Sequence, residues 1–214
     1  VMSVMNGFDY QMRSRILGAI SHATVSGVGE SVQEWPRALK VAEANPHVLG
    51  AAPYVEMEAY LNARRSSGAL VRGVEPAQEP KVVDIDKHML EGKLDQLTPG
   101  SWNIVLGREL AMTLGVGVGD RVTMVVQQLR ATPMGSVPRM RSFHVVGTFE
   151  LGMEQFDSGL ALVNMSDAEK LGDLAGPTGI RLKLDDLFNA RPVARELADQ
   201  LGQVYRVQTW MDTN

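Results

Sequence analysis

Hydrophobic and polar positions alternate along most of this chain in short runs, and these runs predict more strands than helices. Strands are predicted at residues 22–28, 48–61 with an interruption near Pro53, 69–74, 101–106, 121–127, 141–149, 160–163, 179–184 and 204–208. Helices are predicted at residues 11–20, 34–44, 108–114, 167–171 and 189–201. In the last helix, Val193, Leu197 and Leu201 repeat at four-residue intervals, which predicts one buried face.

Capping signals place several helix ends. Ser31 with Glu34 forms a capping-box pattern, while Pro36 favours the first turn, so two starts compete for the second helix. Ser166 with Glu169 predicts the start of the helix at 167–171, and Gly202 is positioned to end the last helix.

The order of these elements predicts an α+β fold. A strand-helix-strand unit occurs at the beginning of the chain and another at the end, and two such units can share one sheet covered by two helices, in the split βαβ manner. We therefore expect one subdomain from residues 1–67 and 177–214, and a strand-rich insertion at 68–176 as a second lobe. Residues 73–100 are polar and punctuated by proline, so a largely irregular connection is expected there.

The most unusual stretch is a predicted hairpin at residues 120–150 with a long tip. Neither Pro133 nor Pro138 can donate a ladder hydrogen bond, so the tip, residues 130–141, is expected to leave the sheet as a stiffened arm. From residue 121 to 149 the hairpin has four arginines and no acidic residue, although the net charge of the chain is −4. Two interpretations remain: a handle for another protein, or a long surface loop with solvated arginines.

Composition excludes several classes of protein. The absence of cysteine excludes disulfides, a thiol nucleophile and a cysteine metal site, but fits oxidising and reducing compartments equally. Mild acidity without an aromatic-interleaved basic stripe argues against nucleic acid as a partner. No apolar run approaches the roughly 18 residues that a membrane-spanning helix needs.

Both ends of the chain are abrupt, since it starts with neither an initiator methionine nor a signal peptide. We expect a domain cut from a longer protein whose flanks include membrane segments. Apolar residues recur at helical spacing near the start, and they fit either a core face or the base of a membrane helix: Met2, Met5, Phe8 and Met12.

No motif for catalysis, metal binding or a cofactor stands out. The glycines at 115, 117 and 119 follow a predicted helix and precede a strand, which is the reverse of a phosphate-binding loop, so they are interpreted as turn residues. The four histidines lie far apart in the sequence, without metal-ligand spacing. Asp84 with Asp86 fits at most a loose cation contact. We expect no enzyme activity, no metal and no cofactor.

Several motifs resemble the permease subunits of the bacterial lipoprotein-releasing ABC transporter, LolC and LolE, within the wider MacB/FtsX group. The matching segments are SVMNGF at 3–8, RILG at 15–18, LGRELAMTLGVGVGDRV at 106–122, TPMGSVPRMRSF at 132–143 and GIRLKLDDLFNA at 179–190. Together they extend over nearly the whole chain.

This resemblance implies a periplasmic domain of an inner-membrane protein, with a Porter subdomain of paired βαβ units and an inserted Sabre subdomain. It also implies partners: the soluble carrier LolA, the ATPase LolD, which would hydrolyse ATP, a second permease subunit, and lipoprotein substrates. LolC-type subunits carry a hook that recruits LolA, and the corresponding residues here are Thr132, Pro133, Met134, Gly135, Ser136, Val137 and Pro138. The strands beneath the hook would supply a supporting surface of Arg121, Arg139, Met140 and Arg141.

Two questions remain open from the sequence. Other segments, such as AAPYVE at 51–56, look at least as much like LolE, so the chain fits a LolC or a single hybrid permease that pairs with itself. The alternative function is that of a MacB-like efflux permease domain docking an adaptor protein, which should not need the hook.

Overall fold

The computed structural model describes residues 20–27, 32, 34–126, 138–202 and 204–212. Ten strands within these residues form one continuous sheet. They are β1 (Ala23–Gly27), β2 (Val48–Asn62), β3 (Ser66–Val74), β4 (Met89–Glu91), β5 (Asn103–Gly107), β6 (Arg121–Val126), β7 (Arg139–Phe149), β8 (Leu160–Asn164), β9 (Gly179–Leu184) and β10 (Tyr205–Thr209).

Five α-helices and several 3-10 turns connect the described strands. The helices are α1 (Trp35–Glu43), α2 (Arg108–Leu114), α3 (Glu154–Asp157), α4 (Met165–Gly172) and α5 (Ala190–Leu201). Three of the 3-10 turns, Glu79–Lys81, Ile85–His88 and Leu94–Gln96, lie in the segment expected to be irregular, which contains only the short β4 as a strand. The short helix α3 was not predicted.

The two ends of the chain build one part of the sheet together. The strand order is β10-β1-β9-β2 with all neighbours antiparallel, so β9 separates the two strands of the first strand-helix-strand unit. Helices α1 and α5 bury their apolar residues against this part, including Ala42, Val193, Leu197 and Leu201. This strand order and these two helices correspond to the split βαβ arrangement that the order of elements predicts.

Strand β2 links this part to the insertion. It runs without interruption for 15 residues, so the predicted break near Pro53 is wrong. Pro53 pairs with Ile180 of β9, whereas pairing with β3 begins only at Tyr54. A proline is tolerated here because the second neighbouring strand, which would need its missing N–H group, has not yet joined.

The insertion continues the sheet in the order β3-β8-β5-β7-β4, and β6 pairs with both β2 and β7. Apolar residues on its two sides form two buried clusters, one centred on Leu61, Leu106 and Phe143 and the other on Leu97, Leu162 and Phe149. Because β2 runs through both parts of the sheet, the boundaries of the proposed subdomains remain a prediction.

The structure decides between the two competing starts of one helix and corrects the predicted cap of another. Helix α1 begins at Trp35 with Pro36 in its first turn, and Glu34 has the left-handed φ of 54° that precludes a capping-box role inside the helix. Helix α4 is capped by Asn164, whose side chain accepts a hydrogen bond from the Ser166 N–H group. The predicted cap, Ser166 in a capping-box pattern with Glu169, is therefore wrong, and the helix begins two residues earlier than predicted.

A buried ion pair joins the insertion to the part of the sheet that the two ends of the chain build. Arg181 of β9 binds the carboxylate of Glu79, which lies in the first 3-10 turn, and both side chains are almost fully buried. The Arg181 guanidinium also lies 5.2 Å from the centroid of the Tyr54 ring. Burial lowers the pKa of Arg181, while the adjacent Glu79 carboxylate opposes that change.

The N-terminal helix expected at 11–20 and the stripe of Met2, Met5, Phe8 and Met12 lie outside the described residues, except for Ile20. No described helix is long and apolar enough to cross a membrane.

Candidate docking surface

The predicted hairpin is present, and its two strands hold the base of the arm. Strands β6 and β7 pair from Arg121 opposite His144 to Val126 opposite Arg139. Arg139, Met140 and Arg141 were expected to leave the sheet within an arm at residues 130–141, but they are paired residues of β7, so that boundary of the arm is wrong. Six of the seven predicted hook residues fall outside the described residues: Thr132, Pro133, Met134, Gly135, Ser136 and Val137. Pro138, the last hook residue, is exposed and precedes β7.

Alternation along the two strands gives the hairpin one buried and one solvated side. Val122, Met124 and Val126 of β6 are buried in the core, as is Phe143 of β7. The intervening residues are exposed or half-buried, namely Arg121, Thr123 and Val125 of β6 and Met140, Ser142 and His144 of β7. Arg139 and Arg141 lie on the side of Phe143 by this alternation, but Arg139 is half-buried and Arg141 is exposed.

Arg141 is held by an aromatic ring from another strand connection. Its guanidinium carbon lies 4.2 Å from the centroid of the Trp102 ring, a cation–π distance. Trp102 in turn meets Phe143 edge-to-face, with ring centroids 5.6 Å apart. The position of this arginine is therefore coupled to the buried core of the insertion.

A buried carboxylate fixes the backbone of Trp102. Asp167 at the start of α4 is fully buried, and its two oxygens accept hydrogen bonds from the N–H groups of Gly100, at 2.6 Å, and of Trp102, at 3.0 Å. Trp102 adopts a left-handed φ of 54°, which is uncommon for a residue other than glycine. These two hydrogen bonds stabilise that conformation and present the ring to Arg141.

Arg139 has a different environment. Its guanidinium donates to the carbonyl oxygen of Lys170 at 3.0 Å and lies 3.6 Å from a carboxylate oxygen of Asp173, both at the end of α4. A cation there is favoured by the negative end of the helix dipole. Arg139 was predicted to belong to the supporting surface, but its charge is balanced within the domain, so its contribution to that surface is to hold β7 in place.

Arg121 and Met140 face solvent. Arg121 is exposed and lies directly across from His144, and Met140 is 62% exposed. A shallow groove at this place has no acidic residue among its described lining residues, which are Ser101, Trp102, Arg121, Thr123, Met140, Arg141, Ser142 and His144. The groove is therefore suited to an acidic surface rather than to a cation.

Five of the eight residues that line this groove were not predicted: Ser101, Trp102, Thr123, Ser142 and His144. His144 follows from the hairpin register once Arg121 is placed, because cross-strand partners can be counted from the turn. Trp102 lies 39 residues before Arg141 in the sequence, and no local pattern links the two.

The described residues give little support for a metal site or a phosphate-binding loop. No group of three or more histidine, aspartate or glutamate side chains capable of holding a metal occurs in the part of the chain that the structure describes. A carboxylate oxygen of Asp84 lies 3.1 Å from the ammonium nitrogen of Lys87 and 4.0 Å from that of Lys183, so two lysines occupy the position that a loosely bound cation would take. Gly115 ends α2 with a φ of 71°, and Gly119 has a φ of 96°, in agreement with their interpretation as turn residues.

Comparison with known proteins identifies the family. Residues 1–200 match the family of the MacB-like periplasmic core domain. The chain belongs to this family. In the solved periplasmic region of MacB from Actinobacillus actinomycetemcomitans, the same fold covers 91% of both chains, with a TM-score of 0.56 at 12% identity. The predicted α+β fold of this domain is thereby confirmed.

Two curated relatives of this MacB-like domain carry the name lipoprotein-releasing system transmembrane protein LolC. The chain is 45% identical to that of Xylella fastidiosa strain 9a5c over 100% of its length, and 39% identical to that of Neisseria meningitidis serogroup B over 99%. It spans 52% and 51% of these proteins, respectively. The chain thus spans about half the length of the curated relatives that it matches.

Proposed function

We propose that this chain is the periplasmic domain of the permease subunit of a lipoprotein-releasing ABC transporter in a bacterial inner membrane. The observation that carries the proposal is the 45% identity to a LolC protein along the whole chain. In this function the domain has no active site of its own, and ATP hydrolysis belongs to a separate subunit, LolD. A second permease subunit, LolE or another copy of the same protein, completes the membrane part.

The proposed task of the domain is to recruit the soluble carrier LolA, which receives lipoproteins extracted from the membrane. The hook, Thr132 to Pro138, is the proposed primary contact. Arg121, Met140 and Arg141 support this assignment, because they line a groove that has no carboxylate among its described lining residues and would attract an acidic carrier surface.

The geometry of the base favours a contact that forms without large rearrangement. The Trp102 ring already positions Arg141, and Arg139, the first residue of β7, is held against the end of α4. Fixing these side chains before binding reduces the entropy that association would otherwise cost. An arm of this size buries less than the roughly 800 Å² per partner of a standard interface, so a dissociation constant in the micromolar range, about 8 kcal/mol, is expected.

A binding experiment tests this function. The purified chain, immobilised on resin, should retain LolA from the same bacterium at low salt and lose most of it at high salt. Arg141→Glu should reduce retention. The matched control is Arg195→Glu, since Arg195 is exposed on α5 in the other part of the sheet.

If the unmodified chain retains no LolA at any salt concentration, the alternative function, that of a MacB-like efflux domain, is favoured.

A further inference from the structure

We infer that Phe188 and the two turns around it form an apolar contact with the lipid bilayer, at the end of the sheet where the chain enters β1 and leaves β10. The turns are Leu187–Asn189, which follows β9, and Trp210–Asp212, which follows β10. This inference rests on the part of the proposed function that places the chain in an inner-membrane permease. It uses no residue of the hairpin.

Three strand ends meet at this end of the sheet. β1 begins where β9 and β10 finish, because Ala23 pairs with Leu182 of β9 and with Thr209 of β10. The N–H group of Trp210 donates a hydrogen bond to the carbonyl oxygen of His22 at 3.1 Å. The chain therefore enters β1 and leaves β10 side by side. In the proposed permease, membrane segments adjoin this domain along the chain, so the bilayer lies beyond this end of the sheet.

Phe188 is the most exposed large apolar side chain among the described residues, at 77%. Hydrogen bonds fix its turn from two sides. The Phe188 N–H group donates to the Asp186 carboxylate at 2.9 Å, and the Trp210 indole donates to the carbonyl oxygen of Leu187 at 3.3 Å. Because the backbone that presents the phenyl ring is already ordered, burying the ring in another phase costs little conformational entropy.

Other apolar side chains extend the surface around Phe188. Leu187, Trp210 and Met211 belong to the same two turns and are half-buried. Leu49 is 64% exposed near the start of β2, the strand whose first residues pair with the end of β9. Tryptophan is enriched where proteins meet the boundary between lipid headgroups and acyl chains, since its ring is apolar and its N–H group is polar. The composition of this surface therefore fits that boundary.

The charges at this end specify the kind of lipid surface. Asp185, Asp186 and Asp212 are exposed, and a carboxylate oxygen of Asp185 lies 2.9 Å from a ring nitrogen of His47. Arg191, near the start of α5, is exposed as well. The carboxylates outnumber the arginine, which disfavours a strongly anionic membrane surface. The ammonium groups of phosphatidylethanolamine can donate hydrogen bonds to carboxylates, so we assign a zwitterionic surface.

This contact would restrict the tilt of the domain on the membrane. Chain connections alone leave a domain free to rock, whereas a side chain inserted beside them adds a further point of attachment. Because the connections already hold the domain at the membrane, its local concentration there is high. A side chain that binds lipid too weakly to act alone is then sufficient.

A tethered chain tests the contact, and the absence of cysteine makes site-specific labelling straightforward. The purified chain, with a C-terminal histidine tag, is held on vesicles of phosphatidylethanolamine and phosphatidylcholine that contain a nickel-chelating lipid. The fluorophore nitrobenzoxadiazole is attached through Phe188→Cys, and its quenching by brominated acyl chains is measured. The matched control is Val204→Cys, because Val204 is 64% exposed but precedes β10 and so lies at the opposite end of that strand.

The label at position 188 should lose much of its emission in brominated vesicles, and the label at position 204 should keep it. The tether alone brings this end of the sheet near the lipid, so a label attached through Met211→Cys shows whether Phe188 itself is needed. Phe188→Ser should reduce the quenching at position 211, whereas Val204→Ser should not. Phosphatidylglycerol in place of phosphatidylcholine should also reduce it, and greater quenching there would overturn the assignment of a zwitterionic surface.

Equal quenching at positions 188 and 204, or quenching at position 211 that Phe188→Ser leaves unchanged, would overturn the inference. Retention of LolA tests the carrier function separately. A chain that retains LolA but shows equal quenching keeps the proposed function and loses the membrane contact. A chain that shows the expected quenching but retains no LolA loses the carrier function and keeps the contact.

Discussion

The guanidinium carbon of Arg141 lies 4.2 Å from the centroid of the Trp102 ring, although Arg141 belongs to β7 and Trp102 to the connection that precedes β5. Trp102 is fixed through its backbone by the buried carboxylate of Asp167. A cation at the base of the arm is therefore positioned by the core of the domain, while its charge remains accessible at the groove.

This relationship predicts that the shape of the Arg141 side chain matters as well as its charge. Arg141→Lys keeps the charge but loses the planar group that stacks on Trp102, so LolA affinity should fall almost as far as with Arg141→Gln. The free energy of unfolding should change by less than about 1 kcal/mol, since the pair is partly exposed. Calorimetric titration with LolA and urea denaturation measure the two effects.

The control for this prediction is Arg121→Lys. Arg121 is exposed and has no aromatic ring stacked on it among the described residues, so a lysine should serve equally well there. Equal affinities for Arg141→Lys and the unmodified chain would show that charge alone acts at position 141.

A second prediction concerns the buried pair of Arg181 and Glu79. Glu79→Gln leaves the buried guanidinium without a counter-charge, and should lower the free energy of unfolding by about 3–5 kcal/mol. The double variant Glu79→Leu with Arg181→Met removes both charges and should recover most of this loss. Urea denaturation of the single and double variants measures both values.

An exposed ion pair provides the comparison. Arg108 and Glu150 lie 2.8 Å apart at the surface, so Arg108→Ala should cost less than about 1 kcal/mol. A Glu79→Gln variant as stable as Arg108→Ala would contradict the role assigned to the buried pair.

A third prediction follows from Glu169 on α4. Partial burial raises the pKa of Glu169, and the nearby Glu75 raises it further, so the charged form is disfavoured in the folded state. Glu169→Gln should therefore stabilise the fold at pH 7, by a few tenths of a kcal/mol because the site is partly solvated.

The pH dependence of this effect has a definite sign. The folded state holds the Glu169 proton to higher pH than the unfolded chain does, so the wild-type chain gains stability from this group as the pH falls through its raised pKa. The advantage of Glu169→Gln should vanish below about pH 4, near the ordinary pKa of glutamate. Thermal unfolding at several pH values tests this, and an advantage of equal size at pH 7 and at low pH would contradict it.

Much of the fold was predictable because local patterns and the final packing agree. The repeat of Val193, Leu197 and Leu201 predicts the buried face of α5, and the helix and strand at 108–114 and 179–184 have the predicted bounds. The break at Pro53 was wrong because the effect of a proline in a strand depends on where the neighbouring strands begin. That information is not local.

The candidate site was predictable only in part. The hairpin register places Met140 and Arg141 at the base of the arm and Arg121 at the opposite end of β6. By contrast, the contacts that distinguish Arg141 from Arg139 involve Trp102 and the end of α4, which are distant in sequence. The three arginines look alike in the sequence and acquire different roles only through tertiary packing.

The central claim is that the arm recruits the carrier, and removing the arm tests it most directly. The variant replaces residues 132–138 with a short glycine-serine turn beyond the last pair of the hairpin, Val126 with Arg139. The core of the insertion lies below that pair, so the temperature of unfolding should not change. In calorimetric titrations, LolA should bind the unmodified chain with roughly micromolar affinity and show no measurable binding to this variant. An affinity of the folded variant equal to that of the unmodified chain would contradict the claim.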